Sequence, residues 1–301
     1  MRVLYLEYSD SDFFALQRRA CGVDARGYFD DYESTYRRIR RLPLLALEPF
    51  FSRLLSSSWS RSHANYDLIV IPASFFAPRI IRFIRRTNRD SRIVVWYWNS
   101  VKFEQPPAKF KGLQCELWSF DEEDCRRYGM RHNTQYYFAL PHPEAARDVD
   151  AVFLGFDKGR VPIIRSVEQR LQSAGLRCDF HVVADRSSDP GAYPYRSGTI
   201  PYADYLMRVH RSSIIVDINA DGQSGMTLRP LEALFHSKKL ITNNRAVKGC
   251  DFYSPDNIFV WGHDDPGDLE RFLSAPYDDR ASACAARYEF GNWVARLREA
   301  A

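Results

Sequence analysis

Nowhere in the 301 residues is there a run of about 18 consecutive apolar side chains, the length a helix needs to cross a bilayer, so the sequence holds no candidate membrane span. It also has no basic leader with a small-residue cleavage site. The chain enters directly into Val3, Leu4, Tyr5 and Leu6, and the expected location is the cytoplasm. The six cysteines, at 21, 115, 125, 178, 250 and 284, form no Cys-x-x-Cys pair and no spacing that gathers a metal tetrad, which leaves free thiols. The seven histidines are scattered without metal-ligand spacing, and no metal is expected. No repeat at periods of about 20 to 50 residues supports a solenoid or propeller. No Gly-x-Gly-x-x-Gly follows the first strand, where Ser9-Asp10-Ser11-Asp12 stands instead, so a Rossmann oxidoreductase is disfavoured. A formal charge of +4 over the whole chain leaves too small an electrostatic footprint for a nucleic-acid partner.

With 45% apolar and 27% charged residues, the composition is that of an ordinary globular protein, long enough for two medium domains. Short apolar runs alternate with helical patterns. Arg2 to Tyr8, Tyr66 to Pro72, Arg92 to Trp98 and Cys115 to Phe120 read as buried strands, with helices over Phe13 to Ala20 and Pro78 to Arg86. A proline-containing connector at Leu140-Pro141-His142-Pro143 breaks the pattern. A second cycle follows, with strands at Asp150 to Gly155, Arg177 to Val183, Ser213 to Asn219, Lys239 to Thr242 and Ile258 to Val260. Such alternation predicts α/β domains with parallel, doubly wound sheets: residues 1–145, residues 146–285, and a C-terminal helix over 286–301 that packs back on the first domain. All of the positive excess lies in residues 1–150, with 23 Lys/Arg against 19 Asp/Glu. Four of those arginines flank a leucine-rich segment over 36–55. That segment is read either as a surface helix with its leucines turned to the core or as a peripheral contact with anionic lipid headgroups.

The strongest constellation for chemistry is Ile214 to Asn219, then Asp221-Gly222-Gln223-Ser224-Gly225, then Thr227-Leu228-Arg229-Pro230-Leu231-Glu232. A strand that passes through a glycine-rich loop into a helix offers free backbone N–H groups to an anion, and a pyrophosphate suits that environment. Gln223, Ser224, Gly225 and Thr227 line the loop, Arg229 has the planar fork that grips phosphate, and Glu232 is placed to accept from ribose hydroxyls. Gly155-Phe156-Asp157-Lys158-Gly159-Arg160 makes a second βα turn with two cations.

These residues resemble the donor-binding domain of GT-B glycosyltransferases, in which a glycine-rich turn precedes a helix bearing a Glu-Ala pair, here Glu232-Ala233. The resemblance covers Asp150 to Val260 and extends to the first half only in pattern. It implies two Rossmann-like domains facing across a cleft and a nucleotide-sugar donor as substrate, with no separate cofactor. It also implies a ribose contact for Glu232, diphosphate contacts for Lys158 and Arg160, and a glycan or lipid-linked acceptor on the first domain, as in bacterial surface-polysaccharide enzymes. Where the family carries a further Glu, eight positions before Glu232, this chain has Ser224. For the acceptor side, Asp10 and Asp12 are candidate catalytic bases in the first βα loop, and Trp98 and Asn99 are candidate sugar contacts. The alternative is a non-catalytic nucleotide- or glycan-binding protein with the same shell.

Overall fold

The computed structural model describes residues 1–39, 50–141, 146–220 and 225–300. The chain divides into two compact units, Met1–Gln135 together with Phe290–Ala301, and Tyr136–Glu289.

In the first unit β1 (Val3–Glu7), β2 (Asp24–Gly27), β3 (Leu68–Pro72), β4 (Arg92–Tyr97), β5 (Glu116–Ser119) and β6 (Arg131–His132) form a parallel sheet in the order β2-β1-β3-β4-β5-β6. Helices cover both faces of such a sheet, so its central strands are continuous apolar runs. Leu4, Leu6, Ile69, Ile71 and Val95 are all buried in one core with Ile80, Ile81 and Ile84 of the helix Ala77–Thr87. The sequence pattern leaves out β2 and β6. Asp24-Ala25-Arg26-Gly27 pairs in register with Leu4 to Glu7, and β6 is two residues long and exposed. Edge strands need bury only one side, so neither carries a run of apolar residues.

In the second unit β7 (Ala151–Phe156), β8 (Cys178–Val183), β9 (Ile214–Asp217), β10 (Lys239–Thr242) and β11 (Ile258–Val260) form another parallel sheet, ordered β11-β10-β9-β7-β8. Ala151, Val216, Ile218, Ile241 and Phe259 meet Ile164, Val167 and Leu171 of the helix Val161–Ser173 in its core. Two buried lysines tie down helix ends at its margin. Lys238 Nζ donates to the carbonyls of His210 and Ser212, and Lys239 Nζ to those of Phe272 and Ala275. Cations at these positions satisfy carbonyls that a helix C-terminus leaves unpaired.

The units divide at Gln135/Tyr136 and Glu289/Phe290, where the sequence reading placed the limits at 145 and 286. The aromatic run explains the earlier division. The Tyr137 amide donates to Tyr288 O at 2.8 Å, and its hydroxyl lies 2.8 Å from that of Tyr202, so this segment is built into the second unit ahead of the proline connector. The helix Phe290–Glu299 belongs to the first unit. Its Trp293 is fully buried with its ring edge-on to Trp96 at 4.9 Å, and Arg296 donates to Asn133 Oδ1 and Thr134 Oγ1, each at 2.7 Å. Of the leucine-rich segment, residues 40–49 lie outside the described residues. On either side Ile39, Phe51 and Leu55 are buried in the first unit's core, while Phe50 is exposed. No helix among the described residues is long and apolar enough to cross a membrane.

Candidate functional site

In an open parallel sheet the strands on either side of the point where the winding reverses lead their loops in opposite directions, and a crevice opens at their carboxyl ends. In the second unit that point lies between β7 and β9. The loops that follow these two strands are 157–160 and 218–228, the two segments singled out in the sequence, so the sheet order brings them together.

The first loop is a tight turn. Lys158 has φ 50° and Gly159 φ 75°, so a non-glycine residue is held in the left-handed region, which carries strain. Hydrogen bonds hold it there. The Lys158 amide donates to Asp185 Oδ2 at 2.9 Å, and the buried Asp157 accepts from Tyr195 Oη at 2.7 Å and the Val161 amide at 3.1 Å. Burial pushes the Asp157 carboxyl up, but the donors around it outweigh burial and hold it below the usual range. The Lys158 side chain itself is exposed. Arg160 folds back over the Phe153 ring at 5.3 Å and donates from Nε and Nη2 to Phe156 O, at 3.1 and 2.9 Å, and from Nη1 to Ile218 O. It thereby links the first loop to the second. A side chain on Gly155 would place its Cβ 2.6 Å from Arg160 Nη2, so any other residue there would push the guanidinium out of this position.

Gln223 and Ser224 lie outside the described residues, as do Asp221 and Gly222. Beyond them, the Gly225 carbonyl accepts from Asn244 Nδ2 at 3.3 Å. Thr227 donates its hydroxyl proton to Asp217 Oδ2 at 2.7 Å, and Thr227 Oγ1 accepts the Arg229 amide at 3.3 Å. A threonine hydroxyl has one proton, so in this arrangement Thr227 is not a donor to phosphate. Asp217, which ends β9, is 6% exposed. Burial raises its carboxyl above the usual range, opposed by the Thr227 bond and by the charges of Arg229 and Arg160. Both guanidinium groups therefore act on one buried carboxylate.

Glu232 sits one turn into the helix Arg229–Phe235 and is completely buried. Its Oε1 accepts from Tyr202 Oη at 2.7 Å, and its Oε2 accepts from Tyr205 Oη at 2.7 Å and Arg229 Nη1 at 2.6 Å. Burial and the neighbouring Glu232 charge push both tyrosine hydroxyls well above their ordinary range, which keeps them protonated as donors. Arg229 lies 3.9 Å over the Tyr205 ring. Burial lowers its hold on the proton, but Glu232 and the tyrosines outweigh burial and keep it charged. The ribose contact that the resemblance implies for Glu232 thus meets a carboxylate with no exposed surface and three donors already in place.

In the first unit the winding reverses between β1 and β3. Asp12 caps the helix Phe13–Ala20, its Oδ1 accepting the Ala15 amide at 2.8 Å, while the Asp10 carboxylate has no partner among the described residues. Both are exposed. The Trp98 ring lies edge-on to Phe14 at 6.0 Å and beside the Arg18 guanidinium, also at 6.0 Å; Asn99 is exposed and donates to Glu104 Oε1 at 2.8 Å. Glu7, at the carboxyl end of β1, was missed by the sequence reading because it looks like the last residue of a strand. It is buried against Arg18, and its Oε1 has no hydrogen-bond partner among the described residues. Burial, countered by Arg18, raises its carboxyl to about 7. Also missed were Asp217 and the tyrosines around Glu232, which lie 27 to 95 positions from it and share no sequence pattern with it. Among the described residues no three His, Cys, Asp or Glu side chains gather into a metal site.

No protein-family model and no curated protein matches this sequence. Solved structures do match over nearly the whole chain. The lipopolysaccharide outer core galactosyltransferase WaaB is 12% identical with a TM-score of 0.55, covering 99% of this chain and 100% of WaaB. Anabaena HepE, solved in complex with UDP, is 11% identical with a TM-score of 0.56, covering 100% of this chain and 99% of HepE. A Listeria monocytogenes protein described as a UDP-N-acetylglucosamine 2-epimerase is 8% identical with a TM-score of 0.54, covering 98% and 94%. The chain has the two-domain α/β architecture of GT-B glycosyltransferases. Because the matched structures carry the description of an epimerase as well as that of a transferase, the reaction has to be argued from the site.

Proposed function

We propose that this chain is a nucleotide-sugar-dependent glycosyltransferase. The Tyr136–Glu289 unit binds the donor, and the Met1–Gln135 unit takes a glycan or glycolipid acceptor in bacterial surface-polysaccharide synthesis, in the cytoplasm or peripherally on the inner face of the membrane. The observation that carries this reading is the pair of guanidinium groups, Arg160 and Arg229, whose charges act on one buried carboxylate, Asp217, and which stand where the loops that leave neighbouring strands at the switch point enter their helices. In the reaction an acceptor hydroxyl oxygen bonds to the anomeric carbon. The bond from that carbon to the diphosphate oxygen breaks, and its electron pair leaves with the nucleoside diphosphate. Arg160, Arg229 and the exposed Lys158 neutralise the charge that develops there, the role a divalent cation fills elsewhere. Asp10, whose carboxylate is exposed and has no partner among the described residues, is the first candidate to take the acceptor's proton if configuration inverts, with Asp12 second. A thermal-shift screen across nucleoside diphosphates and sugar nucleotides tests the reading, which fails if none raises the melting temperature.

A second reading, a binding protein without turnover, is favoured by Asp12's role as a helix cap. Slow hydrolysis of the preferred sugar nucleotide in the absence of acceptor separates the two, since a pure binding protein leaves the donor intact.

A further inference from the structure

We infer that Glu232 serves the donor through Arg229, as a positioning residue that aims the guanidinium at the diphosphate, and makes no contact with the ribose. The inference rests on the donor-site reading above and changes the role that the resemblance implies for this carboxylate. A carboxylate oxygen has two lone pairs. Those of Oε2 are both taken, by Tyr205 at 2.7 Å and Arg229 at 2.6 Å, and Oε1 holds Tyr202 at 2.7 Å with none of the residue's surface open to solvent. The Tyr202 hydroxyl is held in turn by Tyr137 at 2.8 Å, and Tyr137 by His236 Nε2 at 3.2 Å. A ribose hydroxyl would have to displace a member of this chain and open a path to a fully buried group.

Arg229 is placed differently. One nitrogen is given to Glu232, the guanidinium carbon lies 3.9 Å over the Tyr205 ring, and its other donor nitrogens have no partner among the described residues while a fifth of the side chain is exposed. It opens the helix that follows Gly225 to Leu228, on the carboxyl side of β9, and its charge acts on Arg160 and Asp217. A guanidinium locked on one edge, with its other nitrogens engaged by none of the described residues, is prearranged for bidentate capture of phosphate oxygens. The Glu232 charge supplies the lock, and the protonated tyrosines keep that charge in place.

The test is a binding cycle by calorimetry. The preferred ligand is first found among UDP, GDP, ADP and CDP, and its 2′-deoxy and 3′-deoxy forms are then titrated into the wild type, Glu232→Gln, Arg229→Lys and the double variant. Glu232→Gln is expected to weaken diphosphate binding tenfold or more, to leave the penalty for each deoxy analogue within twofold of the wild-type value, and to add less than threefold to Arg229→Lys. Disappearance of a deoxy penalty in Glu232→Gln, or full additivity with Arg229→Lys, overturns the inference while leaving the donor-site reading standing. No diphosphate binding by the wild type overturns both. If Glu232→Gln does not fold, Tyr205→Phe replaces it: the ring under Arg229 stays, one donor to Oε2 goes, and about a threefold loss for the diphosphate with unchanged deoxy penalties is expected.

Discussion

Replacing Arg229 by methionine tests the buried cluster through stability alone. Methionine keeps an unbranched chain over the Tyr205 ring but removes the charge paired with Glu232, which is 0% exposed while the Arg229 side chain is 20% exposed. Removing one partner of a buried ion pair costs about 3 to 5 kcal/mol, because the remaining charge is left in a medium that solvates it poorly. Tyr202 and Tyr205 still donate to both Glu232 oxygens at 2.7 Å, which places the expected loss near the lower end, about 3 kcal/mol. For a unit of this size that lowers the melting temperature by roughly 6 to 12 °C. Adding Glu232→Gln removes the orphaned charge and should restore about 1 to 2 kcal/mol, so the double variant is more stable than Arg229→Met. Urea denaturation at neutral pH reads both steps. A loss under about 1 kcal/mol for Arg229→Met, or a double variant less stable than the single, would falsify the account of Glu232 as a buried, ionised partner.

Three further predictions follow from the same geometry. Gly155→Ala brings a methyl group against Arg160 Nη2, so the guanidinium should leave the Ile218 carbonyl; diphosphate affinity measured by calorimetry should fall about tenfold while stability changes by only about 1 kcal/mol, since a flexible side-chain end gives way. Asp12→Ala should lose about 1 kcal/mol as a helix cap in a urea titration, whereas Asp10→Asn should leave stability unchanged and reduce turnover at least about a hundredfold in a donor-consumption assay. Glu7, raised by burial to about 7 from an ordinary 4.5, binds its proton more tightly folded than unfolded, so its contribution is present at low pH and is lost as pH rises from about 4.5 to 7. That shift corresponds to about 3 kcal/mol, and chemical denaturation at a series of pH values should show the slope in the wild type and its absence in Glu7→Gln.

The apolar runs at Val3 to Leu6, Leu68 to Ile71 and Ile214 to Val216 are legible because a strand covered on both faces is apolar along its buried length. The helices that follow them are legible from their period. By the same logic β2 and β6 are not, since an edge strand carries no such demand. The connection between Lys158, Arg160 and Arg229 was written in the chain only as two loops of suitable composition about 70 positions apart. That they neighbour each other depends on β9 pairing with β7 and not with β8, a choice made by sheet winding. Glu232 shows the limit most clearly. Its position in a helix after a glycine-rich turn suggested an open carboxylate, yet Tyr202, Tyr205 and Arg229 enclose it.

By itself, then, the amino-acid sequence determined the alternation of elements, the two α/β domains and the residue types at the carboxyl ends of their strands, because periodicity and turn chemistry are local. Only the tertiary structure decided which of those residues are buried against one another and which stay exposed. Burial and hydrogen-bond saturation are properties of neighbours brought from distant parts of the chain, as Tyr202 and Tyr205 are to the Glu232 carboxylate they hold.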